Sequence, residues 1–128
     1  MATGFPASTG DVLSAAMFNG LVTFTINPQS GSTYTVANSD LYQVLVQTTN
    51  ASTKTVTIAP DSTLTSAATG SAITFLNTGS GDLTFAAGSG VTITSTGATP
   101  AAPKLKQYTT CVAIRTGANA WTIAGAVV

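Results

Sequence analysis

The fold is predicted by residues 73–93, which read ITFLNTGSGDLTFAAGSGVTI. Three short runs place an apolar residue at every second position, which is the period of a strand with one buried face. These runs are Ile73/Phe75, Leu83/Phe85 and Val91/Ile93. The residues between them are Asn, Gly, Ser and Asp, which form tight reversals of the chain. The stretch therefore predicts a three-stranded antiparallel meander without a reactive centre.

The composition extends this prediction to the whole chain. Its 128 residues fit one domain, which is large enough to be stable without a disulfide or a metal. Thr makes up about a fifth of the chain and Glu and His are absent, which favours strands over long helices. We predict an all-β protein, a compact antiparallel β-barrel or sandwich of about nine short strands with an N-terminal arm and one short helix.

Two further patterns bear on how the strands are arranged. The pairs Val56/Ile58, Ile73/Phe75 and Val91/Ile93 recur along the chain, and we interpret them as pleat periodicity, not as a solenoid repeat. Residues 41–47, which read LYQVLVQ, are apolar on both alternations. That pattern indicates a strand covered on both faces.

The chain is predicted to divide into an N-terminal arm with a short helix, residues 1–20, and a single β domain, residues 21–128. Ser14 is a suitable N-cap and Gly20 a suitable stop for one or two helical turns. So short a helix is stable only when it is packed, either on the chain's own sheet or on a neighbour's. The predicted contact residues of the arm are Phe5, Pro6, Leu13, Met17 and Phe18.

Charge is scarce. Only 6% of the residues are charged and the formal net charge is zero, whereas roughly 25% are charged in ordinary soluble domains. We expect other subunits to cover much of such a surface; the alternative is a monomer kept in solution by its hydroxyl groups. Binding to phosphates needs clustered basic residues, whereas the four in this chain include only one close pair, Lys104 and Lys106. This scarcity argues against a nucleic-acid partner.

The sequence also argues against a membrane partner. No run approaches the roughly 18 apolar residues of a membrane span. Residues 1–6, MATGFP, lack the basic and apolar regions of a secretion signal. We expect a protein made in the cytoplasm.

Few side chains are suited to catalysis. General acid–base chemistry needs a positioned His or paired carboxylates, yet the acidic residues Asp11, Asp40, Asp61 and Asp82 each fall in a separate predicted cap or turn. Cys111 lies in an apolar run and is interpreted as a small buried hydrophobe. We expect no enzyme and no cofactor. A zinc site lacks its ligands, whereas calcium held by loop carboxylates stays open as an alternative.

Four aromatic residues admit two interpretations. Flat rings can stack on sugars, which would make the chain a free carbohydrate-binding module with a platform at Trp121. More often such residues in a small β domain anchor a core or an interface, and we favour that interpretation. The residues are Tyr34, Tyr42, Tyr108 and Trp121.

Several pieces of the chain resemble a β-rich module of tailed-bacteriophage virion proteins, found in capsid-decoration, head-fibre and tail-fibre proteins. The matching pieces include YTV at 34–36 with SD at 39–40, TVTI at 55–58 with Pro60, and ITF at 73–75. The most specific is LTFAAGSGVTI at 83–93, followed by Gln107, Tyr108 and Trp121. The leader VLSAA at 12–16 is also similar to openings of phage virion proteins.

This resemblance implies a non-enzymatic structural protein. We expect a capsid decoration, or cement, protein that forms a homotrimer, binds the major capsid protein and lies on the outer surface of the head. Its capsid or subunit contacts would then be Phe5, Pro6, Leu13, Met17 and Phe18. The alternative is a tail-fibre or head-fibre tip that binds host-surface glycans.

Overall fold

The computed structural model describes residues 23–128. These residues form ten β-strands and one 3-10 turn. The strands are β1 (Thr25–Gln29), β2 (Thr33–Thr35), β3 (Val44–Thr48), β4 (Lys54–Ile58), β5 (Ala72–Asn77), β6 (Leu83–Ala87), β7 (Thr92–Ser95), β8 (Lys104–Leu105), β9 (Thr109–Gly117) and β10 (Ala120–Gly125), and the turn, η1, is Asn38–Leu41. The all-β class is confirmed, and the predicted short helix lies outside the described residues.

The first six strands alternate between two sheets. β1, β3 and β5 are neighbours in a six-stranded sheet, which we call the large sheet, and β2, β4 and β6 are neighbours in a four-stranded small sheet. All four of these pairings are parallel. The chain therefore winds as a flattened coil in which each turn contributes one strand to each sheet.

The second and third turns of the coil share one register. Leu45 lies opposite Thr74 in the large sheet, and Ile58 lies opposite Ala87 in the small sheet. Both pairs are separated by 29 residues in the sequence. The corner between the two sheets therefore contains the same number of residues in each of these turns.

The later strands extend both sheets through three antiparallel pairs and one parallel pair. The β9–β10 hairpin lies against β5, and β7 pairs with β10 in parallel, so the large sheet has the order β1-β3-β5-β9-β10-β7. In the small sheet β8 pairs with β6 in antiparallel, giving the order β2-β4-β6-β8. Both sheets are mixed.

These pairings contradict two predictions. The meander is wrong because its runs are β5, β6 and β7, of which the first two lie in different sheets and the third pairs with β10. The antiparallel arrangement is wrong because the coil is parallel, and a closed barrel is wrong because there are two separate sheets. The sandwich is retained only in that the two sheets share one hydrophobic core. The pairs Val56/Ile58, Ile73/Phe75 and Val91/Ile93 are not equivalent positions of the coil, because equivalent positions of its second and third turns are 29 residues apart. Alternation shows which face of a strand is buried, and it does not show which strand lies beside it.

The corner between β5 and β6 is organised by the buried side chain of Asn77. Its amide group donates to the carbonyl oxygens of Gly81 and Leu105, both at 2.9 Å. Its Oδ1 accepts hydrogen bonds from the N–H of Gly79 and the hydroxyl of Thr48. These bonds satisfy backbone groups that leave the ladder at the end of β5. The chain therefore turns toward the small sheet instead of reversing.

Two glycines let this corner stack on the preceding one. A Cβ atom at Gly79 would lie 2.0 Å from the carbonyl oxygen of Asn50, and one at Gly81 would lie 2.1 Å from that of Ser52. Both clashes involve backbone atoms, which cannot rotate away as a side chain can. Glycine is therefore required at both positions by the close approach of the backbones.

Lys54 links the same two corners from inside. Its Nζ donates to the carbonyl oxygens of Asn50 and Gly81, each at 2.7 Å, and the side chain is buried. Burial lowers the pKa of Lys54, and the charge of Asp82 acts against that shift. The ammonium group thus bridges successive turns of the coil.

The core lies between the two sheets. Phe75 of β5 and Phe85 of β6 pack edge to face, with ring centroids 4.9 Å apart. The largest fully buried side chains come from both sheets and from the connections between strands: Trp121, Phe75, Phe85, Ile58, Leu64, Ile73, Leu83, Leu105, Ile123, Val36, Val46 and Val56. They belong to one hydrophobic cluster. Within residues 23–128, no helix has the length and apolar character needed to cross a membrane.

We expect Gly79→Ala to lower the free energy of unfolding by about 2–3 kcal/mol, because its Cβ would collide with the backbone at Asn50. The matched control is Gly117→Ala, where a Cβ would have no neighbour within 4 Å and the expected change is within about 0.5 kcal/mol. Urea unfolding at constant m value measures both changes. A Gly79→Ala protein with the wild-type midpoint would contradict the stacked corners.

Candidate interaction surface

The predicted contact residues Phe5, Pro6, Leu13, Met17 and Phe18 lie outside the described residues, as does Asp11. The surface described by the structure is therefore made by the two sheets and their connections.

Two of the carboxylates form ion pairs. Asp61 accepts hydrogen bonds from the Arg115 guanidinium at 2.7 and 3.2 Å and from the N–H of Asn119 at 2.9 Å. The hydrogen bond from Arg115 lowers the pKa of Asp61. Asp82 pairs with Lys106 at 2.8 Å, which likewise lowers the pKa of Asp82. Both residues lie in connections between strands, as predicted, and hold those connections in place.

The third carboxylate, Asp40, is 1% exposed. It accepts hydrogen bonds from the Tyr34 hydroxyl at 2.6 Å, from the Asn27 amide at 2.9 Å and from the N–H of Ala37 at 2.9 Å. Burial, followed by the hydrogen bond to Asp40, raises the pKa of Tyr34 to about 12. All these groups belong to the first turn of the coil, so the network closes the core at the edge of both sheets. Within residues 23–128, His, Cys, Asp and Glu form no group of three that could hold a metal ion.

Two side chains that could otherwise react or bind a ligand, those of Cys111 and Trp121, are buried in the core. Cys111 is buried, and burial raises its pKa to about 12, which keeps the thiol protonated near neutral pH. Its interpretation as a buried hydrophobe is confirmed. Trp121 is 1% exposed, so its ring cannot stack on a sugar. The hypothesis of a carbohydrate-binding module with a Trp121 platform is therefore wrong.

Tyr108 is the most exposed of the large apolar and aromatic residues that the structure describes, at 75%. Its backbone is left-handed, with φ of 61°, a region in which bulky residues are rare. Its N–H bonds to the carbonyl oxygen of Asn77 at 2.6 Å. The exposed ring is thus anchored to the corner that Asn77 organises.

The outer face of the large sheet carries no charged strand residue. Side chains alternate across a strand, and in this sheet the inward set is buried, as Val46, Phe75 and Ala113 show. The outward aliphatic residues are Ile26, Leu45, Leu76, Val112 and Ile114, and the other outward strand residues are Thr, Ala, Pro and Gln. We call this surface the apolar face.

A row of residues crosses the apolar face in register over five strands. It runs Ile26, Leu45, Thr74, Val112 and Ala124, from β1 to β10. Phe24 and Ile26, at the β1 end, are 47% and 48% exposed. The row is uncharged and contains three large aliphatic residues together with Thr74 and Ala124. Apolar residues gathered on one outer face are typical of a contact site.

A groove of about 310 Å³ opens at one end of this face. It is lined by Phe24, Leu41, Gln43, Val44, Gly70, Ser71, Ala72 and Thr74. These residues are uncharged, so the groove continues the chemistry of the apolar face. The surface at the β1 end is therefore concave as well as apolar.

The outer face of the small sheet has a different chemistry. Thr33, Thr55 and Thr84 lie opposite one another on three successive strands, and Thr35 lies opposite Thr57. The edge strand β8 adds the cation Lys104. The outward strand residues of this sheet include no Ile, Leu, Val or Phe. Hydroxyl groups bond readily to water, so this face is better suited to solvent than the apolar face.

The edge of the large sheet at β1 is protected by a proline. The N–H of Thr25 bonds to Gln43, and that of Thr49 bonds to the carbonyl oxygen of Gln29. Alternation along β1 then places the nitrogen of Pro28 on the open side, where it has no hydrogen to donate. Proline on an edge strand discourages the addition of a further strand. The face of this sheet, rather than its β1 edge, is available for contacts.

Comparisons with known proteins add no functional assignment to the apolar face. The chain matches no protein-family model, no curated protein and no solved structure. Functional interpretation therefore depends on the chemistry of the surface and on the sequence resemblance described above.

The apolar face is not predicted by any local pattern of the sequence. Its members alternate with core residues on strands whose neighbours were not known, so no local pattern brought Leu45, Leu76 and Val112 together. One signal did exist. The run 41–47 is apolar on both alternations, and the structure places Val46 in the core and Leu45 on the outer face.

We expect Tyr34→Phe to lower the free energy of unfolding by about 1–2 kcal/mol at pH 7, because Asp40 loses a hydrogen-bond donor. A different effect appears at high pH. The pKa of Tyr34 rises from 10.0 to about 12 on folding, so the stability that its neutral form contributes is present below pH 10 and lost as the pH rises through 12. Tyr34→Phe should therefore lose less stability over that window than the wild type.

Urea midpoints between pH 6 and 12 measure both effects. The matched control is the interval from pH 6 to 9, in which the two proteins should show parallel curves. Parallel curves up to pH 12 would contradict the burial of the Tyr34 hydroxyl beside Asp40.

Proposed function

We propose that this chain is a non-enzymatic structural protein of a tailed-bacteriophage virion. Within the virion it is a capsid decoration, or cement, protein that binds the outer surface of the head as an oligomer and stabilises it. The observation that carries the proposal is the apolar face, which spans five strands without a charged strand residue. Only 6% of the residues are charged. Such a face is unfavourable in water, so we expect a partner protein to cover it.

The ionisable groups support a structural role. Asp40, Asp61 and Asp82 are engaged by neighbouring side chains, and Lys54 is engaged by backbone carbonyls. None of these groups pairs with a nucleophile that it could activate, and the thiol of Cys111 is buried. The side chains that could carry chemistry thus hold the fold together.

The partner on the head would be the major capsid protein. Apolar area buried in such a contact contributes roughly 25 cal/mol per Å² before the costs of association are subtracted. Repeated over many equivalent copies, a modest contact becomes a large stabilisation of the shell. The protein would be made in the host cytoplasm and would end on the outer capsid surface.

A second candidate function is a tail-fibre or head-fibre tip that binds host-surface glycans. The observation that favours it is Tyr108, whose ring is 75% exposed on a left-handed backbone position. Residues held in such positions cluster at functional sites. Tyr42 is also exposed, whereas Trp121 is not available to a ligand.

Quantitative mass spectrometry of purified particles separates the two candidates, because it gives the number of copies of this chain per particle. We expect on the order of hundreds of copies, because only the icosahedral shell offers so many equivalent sites. A count of a few to a few dozen would place the chain on the tail or at a vertex and favour glycan binding. Its absence from particles would overturn both candidates.

We also expect the N-terminal contacts to be required for binding to the shell. A full-length chain carrying Leu13→Ser, Met17→Ser and Phe18→Ser should bind purified shells at least about tenfold more weakly, because it loses apolar area at the contact. Cosedimentation with shells measures the binding. The matched control is Thr57→Ser on the small sheet, which should bind as the wild type does. Unchanged binding of the triple variant would sink the assignment of these residues.

A further inference from the structure

We propose that the groove at the end of the large sheet binds the chain's own residues 13–22, with the side chain of Phe18 inserted into it. The groove is lined by Phe24 and by residues of η1, β3, β5 and the connections before β3 and β5. The inference concerns the free protein and does not depend on the proposed function. Its basis is the point at which the chain enters the sheet.

The first step is the depth of the groove. Leu41 and Val44 line it, and both are partly buried side chains that pack against the core cluster. Its volume of about 310 Å³ lies at the lower end of the range for ligand pockets, so the groove has room for an aromatic side chain. An apolar side chain inserted there would remove more surface from water than one lying on a flat sheet.

The second step is the position of the chain entry, which identifies the occupant. Thr25, the first residue of β1, donates its N–H to the carbonyl oxygen of Gln43 at 2.9 Å, and Gln43 lines the groove. Phe24, one residue earlier, also lines the groove and is 47% exposed. Residues 1–22 are therefore covalently attached at the rim of the groove.

The third step is the length of that attachment. Phe18 precedes Phe24 by six positions, and a chain of this length spans at most about 20 Å. The pair Asn19-Gly20 between them is typical of chain reversals, which would direct Phe18 back to the rim. A segment tethered so closely has an effective concentration in the millimolar range. The attachment therefore favours the chain's own segment over any partner that is free in solution.

The fourth step is the composition of the segment. Residues 13–22 read LSAAMFNGLV and contain no charged residue. Their large apolar side chains gain free energy by leaving water, and the short helix predicted here is stable only when it is packed. The groove offers apolar surface within reach of the tether, so the segment and the groove complement each other.

The inference has a consequence for binding to the shell. Met17 and Phe18 lie in the bound segment, and they are also residues that the proposed function assigns to the shell. If both assignments hold, binding to the shell withdraws this segment from the groove. The groove would then keep apolar side chains covered until a shell is present.

Disulfide trapping in the full-length chain tests the inference. Met17→Cys leaves Phe18 in place and is combined with Ser71→Cys or with Thr74→Cys, two positions that line the groove. The matched control combines Met17→Cys with Gln47→Cys, a half-buried position of β3 that does not line the groove. The native Cys111 is buried, which keeps it out of the exchange.

The control position is also within reach of the tether. Gln47 lies opposite Pro28, about 13 Å along β1 from Phe24. Random collisions of a segment that is not bound would therefore link all three pairs. A disulfide needs Cα atoms within about 7 Å, so a bound segment links preferentially to the groove.

We expect at least one groove pair to form a disulfide within the same chain at least about tenfold faster than the control pair, in oxidised glutathione at about 1 µM protein. Adding Phe18→Ser should remove this advantage. Non-reducing gels and intact mass measure the link, and emission of the buried Trp121 shows that each variant is folded. Equal rates in all three pairs would overturn the inference, as would links that form only between two molecules.

Binding of the linked protein to purified shells separates the inference from the proposed function. Linked protein that binds only after reduction would support both. Linked protein that binds as tightly as the unlinked form would leave the inference standing and overturn the assignment of Met17 and Phe18 to the shell. Preferential linking in a protein whose wild type binds no shells would establish the bound segment and overturn the decoration function.

Discussion

The stacking of one corner directly on the next is the contact on which the rest of this structure depends. At Gly79 and Gly81 the backbone approaches Asn50 and Ser52 so closely that a Cβ atom would overlap a carbonyl oxygen. This approach keeps the two turns at the same offset in both sheets. A slip of one residue in either sheet would turn its outward side chains into the core. The separation of core residues from the residues of the apolar face therefore begins at the corners.

Buried polar groups reinforce that register. Asn77 and Lys54 each satisfy carbonyl groups that leave the strand ladders at the corner, and Asp40 does the same for donors of the first turn. A buried charge is costly unless it has hydrogen-bond partners. Because these partners exist in only one arrangement of the turns, the polar groups favour that arrangement over shifted ones.

The coil also explains why the protein has two unlike outer faces. Successive strands enter alternate sheets, so residues that are neighbours in sequence contribute to opposite surfaces of the molecule. The small sheet collects Thr33, Thr55 and Thr84 on its outer face, whereas the large sheet collects Ile26, Leu45 and Val112. The described aspartates, Asp40, Asp61 and Asp82, lie in corners and connections. The two outer faces of the molecule therefore differ in chemistry.

The alternation of apolar residues and the abundance of Thr determined, from the sequence alone, that the chain is all-β, which residues of β5, β6 and β7 are buried, and that Cys111 is a core residue. These properties are local, because the side chain of each strand residue points to one face or the other whatever strand lies beside it. The partners of the strands, the parallel coil and the apolar face were decided only by the tertiary structure. Leu45 and Val112 lie on one surface because the chain makes a corner after β5, where a reversal was predicted. That corner is formed by Asn77, Gly79 and Gly81. The physical reason is that a corner and a reversal use the same turn-forming residues, and only contacts with the preceding turn of the chain distinguish them.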